Sequence, residues 1–388
     1  MRRRIIMNRT HETLAFDFDE RTGHAVGSAT VLDASRMPPE FTVHGKRAVY
    51  ARRVDAWWRG RAIPSTRDGI ARVLADLHLH STVHLLDQTR GLSLSDQYWV
   101  RDMDEDVRWQ DVNFFTNPFP EQLGYALLSE RSSSHRFSFD APDASTGGDL
   151  PKRWTIGDDG TRLLVKTGRT GQEPVNELIA SQLAGRLGIP AVRYTLGEYE
   201  NRPVSICAEM LTDTQELVSA WQALGMVKHD NRLSARDQWA AAARALGADG
   251  RQVDDATDDW LLVDWLMRNT DRHYNNFDLT GATETLETQP APLFDTGASL
   301  WAGELRVSNA DYQTRPFYTT VKSPTARRQL HLIRDWDRYD LDALDDWPEF
   351  VAQRLNEYGL MAESRVEQIR RMLHDRVHQA RQARDQRP

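Results

Sequence analysis

Thr270-Asp271-Arg272-His273-Tyr274-Asn275-Asn276 sets an Asp and an Asn five residues apart in a loop. The stretch before it, 259–268, reads as a helix with Leu261, Leu262, Trp265 and Leu266 apolar. After the loop a short strand over 292–294 leads to Asp295, nineteen residues beyond Asn276. Phosphoryl transfer needs a set of this kind: one carboxylate orients the attacking hydroxyl, and an Asn with a second carboxylate holds Mg2+. Magnesium takes few oxygen ligands from protein when substrate phosphates supply the rest. Asp and Asn are common in loops, so the pair alone is weak and its context carries the argument.

That context lies upstream. Leu163-Leu164-Val165-Lys166 is an apolar strand ending in a lysine, and Glu177 stands in the following helix as its carboxylate partner. Lys152–Ile156 and Thr161–Lys166 flank Gly157-Asp158-Asp159-Gly160, which predicts a hairpin with a four-residue turn. The small-residue loop Ser145-Thr146-Gly147-Gly148 precedes it, where backbone N–H groups can cover phosphates. The helix is expected from Pro174 to Leu187, with Pro174 at its first position, Val175, Leu178, Ile179, Leu183 and Leu187 on one face, and Gly188 and Pro190 ending it. Strands over 191–198 and 203–209 follow, then helices over 238–246 and 259–268 and a helical C-terminus over 348–382. Strand, glycine loop, lysine strand, glutamate helix, Asp…Asn loop and final Asp is the order of a protein kinase. The order is far more specific than any one element.

The rest of the chain bounds this reading. Its 388 residues predict two or three domains, and no repeat of solenoid or propeller length is present. Mean hydropathy is −0.62 and no apolar run is long enough to span a bilayer. Met1-Arg2-Arg3-Arg4 is followed only by Ile5-Ile6-Met7, too short for a signal-peptide apolar region. A single cysteine, Cys207, excludes an intramolecular disulfide framework and a cysteine zinc site, so a cytoplasmic setting is expected. The net charge of −8 argues against a globally nucleic-acid-binding surface, although residues 364–388 hold seven arginines against three acidic residues. The N-terminal third contributes a hairpin pattern over 13–23, a helical pattern over 66–79 and a polar linker over 130–134; a further short strand is expected over 135–140. Trp57, Trp58, Trp99 and Trp109 read as core, and Arg59, Arg61 and Arg67 as solvated surface.

With these residues in order, the chain resembles the HipA-like serine/threonine kinases, particularly the stand-alone type of Gram-positive bacteria. The carrying residues are 163–166, Glu173-Pro174-Val175-Asn176-Glu177, 268–276 and Ala291-Pro292-Leu293-Phe294-Asp295; Trp57–Pro64 and Leu92–Trp99 also look like the N-terminal region of such relatives. The resemblance implies an α+β, bilobal protein-kinase-like fold with a small β-rich lobe, a large helical lobe and an N-terminal α/β extension. It divides the chain into an accessory region over 1–134, a kinase N-lobe over 135–210 and a helical C-lobe over 211–388. It implies ATP and Mg2+ as cofactors, with transfer of the γ-phosphate to a Ser or Thr hydroxyl of a protein or of the chain itself. Asp271 would then be the base and Lys166 would contact the phosphates, positioned by Glu177. Asn276 and Asp295 would bind Mg2+, the loop Ser145, Thr146, Gly147 and Gly148 would cover phosphate, and Glu209, Met210 and Leu211 would form the hinge against adenine. A small antitoxin-type protein is the implied partner of the N-terminal region, with no direct nucleic-acid or membrane contact. The sequence departs from the kinase pattern at Asp295-Thr296-Gly297, which lacks the usual Phe, and in a loop that is not G-x-G-x-x-G. No motif after Gly297 identifies the protein substrate.

Three other readings stand beside it. Asp271-Arg272-His273-x-x-Asn276 also matches phosphatidylinositol-type lipid or small-molecule kinases, for which the basic tail is the available membrane-facing surface, while His273 either assists the base or holds the loop. A catalytically weak regulatory scaffold is the non-enzyme alternative. Asp295-Thr296-Gly297-Ala298-Ser299 resembles an aspartic-protease strand, but that chemistry needs two aspartates and the chain has no second Asp-Thr/Ser-Gly.

Overall fold

The computed structural model describes residues 1–128, 140–285, 287–314 and 325–386. The chain opens with β1 (Arg2–Asn8), β2 (His11–Asp19) and β3 (His24–Val31), then a small hairpin of β4 (Thr42–Val43) and β5 (Lys46–Arg47). Helices α1 (Ala51–Gly60), α2 (Ile70–Asp76) and α3 (Thr82–Gln88) lead to β6 (Tyr98–Asp102), and α4 (Trp109–Val112) and α5 (Gln122–Leu128) complete the region. Its antiparallel sheet has the order β3-β2-β1-β6, so the Arg-rich N-terminal segment is a central strand. Alternating residues of β1 explain this: Ile5 and Met7 pack on one side, with Trp99 and Trp109, and Ile6 on the other with Phe16, Trp57 and Trp58. The four tryptophans read as core are all buried.

The second sheet has the order β7-β8-β10-β9, built from β7 (Lys152–Ile156), β8 (Arg162–Lys166), β9 (Tyr194–Tyr199) and β10 (Arg202–Ala208). Helix α6 (Gln172–Arg186) packs on it. Gly171 precedes α6 at φ +79°, and Gly188 follows it at φ +69°, where the Ile189 N–H closes onto the Ala184 carbonyl at 2.8 Å. Pro174 is therefore the third helical residue, still within the first turn, where its missing N–H costs nothing.

The remaining chain is mostly helical. β11 (Gln215–Ser219), β12 (Asp278–Ala282) and β13 (Thr288–Pro290) form a small antiparallel sheet with β12 in the centre, accompanied by α7 (Ala220–Met226), α8 (Ala235–Ala245), α9 (Gly250–Met267), α10 (Ala326–Leu330), α11 (Trp347–Glu357) and α12 (Glu363–Asp385). α9 is the buried axis of this part. Asp249 caps it by accepting from the Arg251 and Gln252 N–H groups, and Trp260 through Met267 are almost wholly apolar and buried. The result is mixed α+β, with β-rich N-terminal sheets and a helical C-terminal part.

Several expectations change. The 66–79 helix shrinks to α2, because Gly69 at φ +83° starts it and His78 at φ +55° ends it. The strand over 292–294 is a single parallel bridge between Leu293 and Ala191, since Pro292 has no N–H to extend a ladder. The C-terminal helix is two helices broken at Gly359, φ +59°. Arg61 and Arg67 are drawn inward rather than solvated: Arg61, half-buried, makes a bidentate pair with Asp96 at 2.7 and 2.9 Å, while Arg67, 2% exposed, is held by backbone carbonyls. The basic tail is likewise folded in. Arg376 stacks on Trp265 at 4.0 Å and donates to its carbonyl at 2.6 Å, Arg370 pairs with Glu349 and Glu367, and Arg381 pairs with Asp345. The linker over 130–134 and all but Asp140 of the expected strand lie outside the described residues.

Candidate active site

The site begins with strand register. β7 and β8 pair so that Lys152 stands directly opposite Lys166, and β10 pairs with β8 so that Ser205 stands opposite Lys166 on the other side. Cross-strand partners share a face, so the row Lys152–Lys166–Ser205 projects from one side of the sheet. α6 lies on that side. Its Glu177 accepts from Lys166 through one carboxylate oxygen in a short contact and from the Ser205 hydroxyl at 2.7 Å through the other. Lys166 also donates to Asp295 at 2.8 Å. Burial disfavours the Lys166 ammonium, but Asp295 and Glu177 outweigh it and hold the group well above the ordinary lysine range. The ammonium of Lys166 in turn drives the Asp295 carboxyl far below the usual carboxylate range, against the effect of burial.

Asp295 sits at φ +55°, a left-handed conformation that is unusual for a residue other than glycine, and its side chain is 39% exposed. The segment after it is held from α6: the Asn176 amide donates to the Gly297 and Ser299 carbonyls at 2.8 and 2.7 Å, and Gln172 donates to the Leu300 carbonyl at 2.9 Å. The partner of Asp295 is thus a lysine rather than a second aspartate, the opposite of what a proton-sharing protease pair requires.

The Asp…Asn loop follows α9 and is organised by Arg272. This buried guanidinium donates to both Asp264 oxygens at 3.0 Å, to the Asn276 carbonyl in a short contact, and to the Phe294 carbonyl at 3.1 Å. One side chain therefore ties the helix, the loop and the Asp295 segment together. The Asn276 amide donates to the Asp271 carbonyl at 2.8 Å, which closes the five-residue spacing into a turn. Asp271 is open, its side chain 60% exposed. Burial of its surroundings raises its pKa, opposed by His273 and reinforced by the Asp295 carboxylate. His273 accepts the Asn275 N–H at 3.2 Å and stands 3.9 Å from Asp271, so it both braces the loop and flanks the carboxylate.

The Ser145–Gly148 loop and the segment expected as a hinge hold the remaining predicted residues. The Ser145 hydroxyl donates to the Leu92 carbonyl at 2.6 Å, and the Thr146 hydroxyl accepts from Trp154 Nε1 at 3.0 Å. Gly148 is at φ +84°, and a Cβ there would stand 2.5 Å from Lys152 Nζ, so the loop packs closely on the second lysine. Burial, together with the neighbouring Lys166, lowers the Lys152 pKa to about 7. Glu209, Met210 and Leu211 link β10 to β11; the Leu211 N–H is taken by the Glu209 carboxylate at 2.9 Å, and burial raises the Glu209 carboxyl to about 7. Cys207 lies just before, and burial raises its thiol to about 12.

The structure thus brings Lys166, Glu177 and Asp295 into direct contact and joins Asp271 to Asn276. Lys152 and Arg272 were not among the residues expected. A donor set of two ammonium groups, a carboxylate and a carboxamide suits a phosphate-bearing ligand with one hard cation.

A family model described as the HipA-like C-terminal domain matches residues 143–381, more than half of the chain. The chain belongs to the HipA-like serine/threonine kinase family. Over 130 residues it is 26% identical to the serine/threonine-protein kinase CtkA of Helicobacter pylori, a match covering 32% of this chain and 40% of that relative. The sequence match thus spans about two fifths of the length of that relative. Among solved structures, the fold is similar to HipA of Shewanella oneidensis MR-1, solved with HipB and operator DNA, at a TM-score of 0.58 and 14% identity over 99% of this chain and 100% of that one. The Helicobacter pylori proinflammatory kinase CtkA superposes at a TM-score of 0.49 and 19% identity, covering 63% of this chain and 94% of that one. The matched segment contains the Ser145–Gly148 loop and Asp295, while residues 1–142 lie outside it.

Proposed function

We propose that the chain is an ATP- and Mg2+-dependent kinase that transfers the γ-phosphate to a Ser or Thr hydroxyl of a protein. The observation that carries this is the Lys166 ammonium shared between Glu177 and Asp295, with Lys152 opposite it in the sheet. Phosphoryl transfer is chiefly positioning and charge neutralisation, and two adjacent ammonium groups supply that charge. Mg2+ bound with ATP would add neutralisation of the phosphate oxygens, and the Asp295 carboxylate and Asn276 carboxamide are the oxygen donors offered to it. Lys166 orients the phosphates and Glu177 fixes Lys166. The exposed Asp271 carboxylate, with its raised pKa, accepts the proton of the attacking hydroxyl. A cavity of about 700 Å3, bordered by Arg53, Trp57, Arg61, Gly147, Trp221 and Asn275, opens beside both the glycine loop and the Asp…Asn loop, and is the side from which an acceptor reaches them. By analogy with the HipA solved with HipB and operator DNA, an antitoxin-type protein is the proposed partner, and any DNA contact runs through it.

No helix among the described residues is long and apolar enough to cross a membrane, and Arg370, Arg376 and Arg381 of the basic tail are paired internally rather than offered to a lipid surface. Incubation with labelled ATP and Mg2+ tests the proposal. Wild type should label itself or a protein in a lysate, and Asp271→Ala should lose at least about three orders of magnitude of transfer while still binding ATP. Equal labelling by both proteins refutes the assignment, and label recovered only in lipid extract favours the lipid kinase.

A further inference from the structure

Arg67 lies outside the family-matched segment, between α1 and α2, yet its guanidinium is spent on the glycine loop. Nε donates to the Gly148 carbonyl at 3.0 Å, and Nη2 donates to the Gly147 carbonyl at 2.7 Å and to the Thr146 carbonyl in a short contact. Neighbouring groups extend the same grip. The Asp68 N–H donates to the Asp149 carbonyl at 3.0 Å, the Thr66 hydroxyl to the Asp149 carboxylate at 2.7 Å, and the Ile63 N–H to the Ala144 carbonyl at 3.2 Å.

The consequence follows from peptide geometry. In a trans peptide the C=O of one residue and the N–H of the next point in opposite directions. Drawing the carbonyls of Thr146, Gly147 and Gly148 onto one guanidinium therefore turns the N–H groups of Gly147, Gly148 and Asp149 to the opposite side. Among the described residues no acceptor lies on the Gly147 or Gly148 N–H. Gly148, at φ +84°, makes the arrangement accessible, and the space beside Gly147 where a Cβ would stand is open. A row of N–H groups turned one way is an anion-receiving nest, and a cation bonded to the carbonyl ends polarises each peptide so that its N–H end becomes more positive.

Energetics point the same way. Arg67 is 2% exposed and makes no ion pair with a carboxylate among the described residues, and Asp143 and Asp149 act on it only at longer range. A buried cation without a paired carboxylate is an expensive way to hold two segments together, because a neutral donor can satisfy the same carbonyls. The charge is explained if the loop it supports must receive a polyanion.

We propose that Arg67 is a positioning residue of the phosphate site: it holds the 146–149 loop with its N–H groups presented to the ATP phosphates, so that the N-terminal region completes the nucleotide site of the kinase. This rests on the reading of that loop as the phosphate loop.

Titration calorimetry of the full chain with ATP and with adenosine separates phosphate recognition from the rest of the site. Wild type should bind ATP more tightly than adenosine. Arg67→Gln should weaken ATP binding by at least about tenfold and leave adenosine unchanged, and Arg67→Lys, which keeps the charge without the fork, should fall between. A loss shared equally by ATP and adenosine means a merely structural role and overturns the proposal, as does an unchanged ATP-to-adenosine ratio. If wild type itself shows no preference for ATP over adenosine, the reading of the loop fails first. Hydrogen exchange on wild type needs no variant to fold: amides over 146–150 should become protected by ATP and not by adenosine. Absence of that difference also overturns the proposal.

Discussion

Lys152→Met is expected to stabilise the unliganded protein at neutral pH and to weaken its hold on ATP. Lys152 is 8% exposed and lies opposite Lys166 across the β7–β8 ladder, and burial with that like charge lowers its pKa to about 7. In the unfolded chain a lysine titrates near about 10.4. Between these values the unfolded chain holds a proton that the folded chain lacks, so stability rises with pH across that window and levels off above it. Integrating the linkage gives a deficit of about 4 kcal/mol at pH 7 and about 1 kcal/mol at pH 9.5. Methionine fills a similar volume and binds no proton. The stability difference between variant and wild type should therefore shrink by about 3 kcal/mol over that range. Urea unfolding of both proteins without nucleotide, at the two pH values, reads the quantity, because titrating groups remote from Lys152 cancel in the difference. A difference independent of pH refutes the buried-ammonium argument. In the same variant the loss of one charge-assisted contact, about 1.5–3 kcal/mol, should raise the Kd for ATP roughly 10- to 150-fold at pH 7.

Two further outcomes concern the ion pairs around this lysine and the C-terminal lock. Lys166→Met leaves Glu177 and Asp295 facing one another without their cation and should cost about 3–5 kcal/mol, of which adding Glu177→Gln recovers a large part. A double variant less stable than the single one in thermal melts sinks that account. Arg376→Ala removes both the stacking on Trp265 and the bond to its carbonyl and should cost about 3 kcal/mol in chemical denaturation; Arg376→Lys should recover less than half, because an ammonium lacks the planar fork.

How far the site was legible depends on how local each signal is. Asp271 and Asn276 are closed into one turn by a single hydrogen bond, so their spacing can be read directly. Lys166 and Glu177 lie on consecutive elements joined by a short loop, and their pairing follows once strand and helix are assigned. Lys152 was missed for one residue of register. A four-residue turn over 157–160 pairs Ile156 with Thr161 and sets Lys152 opposite Val165, on the face away from Lys166. The loop instead takes in residue 161, with the Gly157 N–H bonded to the Thr161 carbonyl at 2.8 Å, so that Ile156 pairs with Arg162 and Lys152 with Lys166. A slip of one residue exchanges the two faces of a strand, so the turn decides whether the second ammonium reaches the site.

The sequence by itself determined the family, the α+β class and the ordered set Lys166, Glu177, Asp271, Asn276 and Asp295, because residue type and short spacing carry that information. Only the tertiary structure decided where the long cations go. Arg67, Arg61 and Arg376 read as ordinary charged residues in the chain, yet each is drawn inward by groups 30 to 111 residues away. A guanidinium can be buried only where several oxygens converge on it, and no local pattern reveals that convergence. Arg370, Arg376 and Arg381 of the basic tail are for that reason internal ties, and an N-terminal arginine becomes the support of the glycine loop.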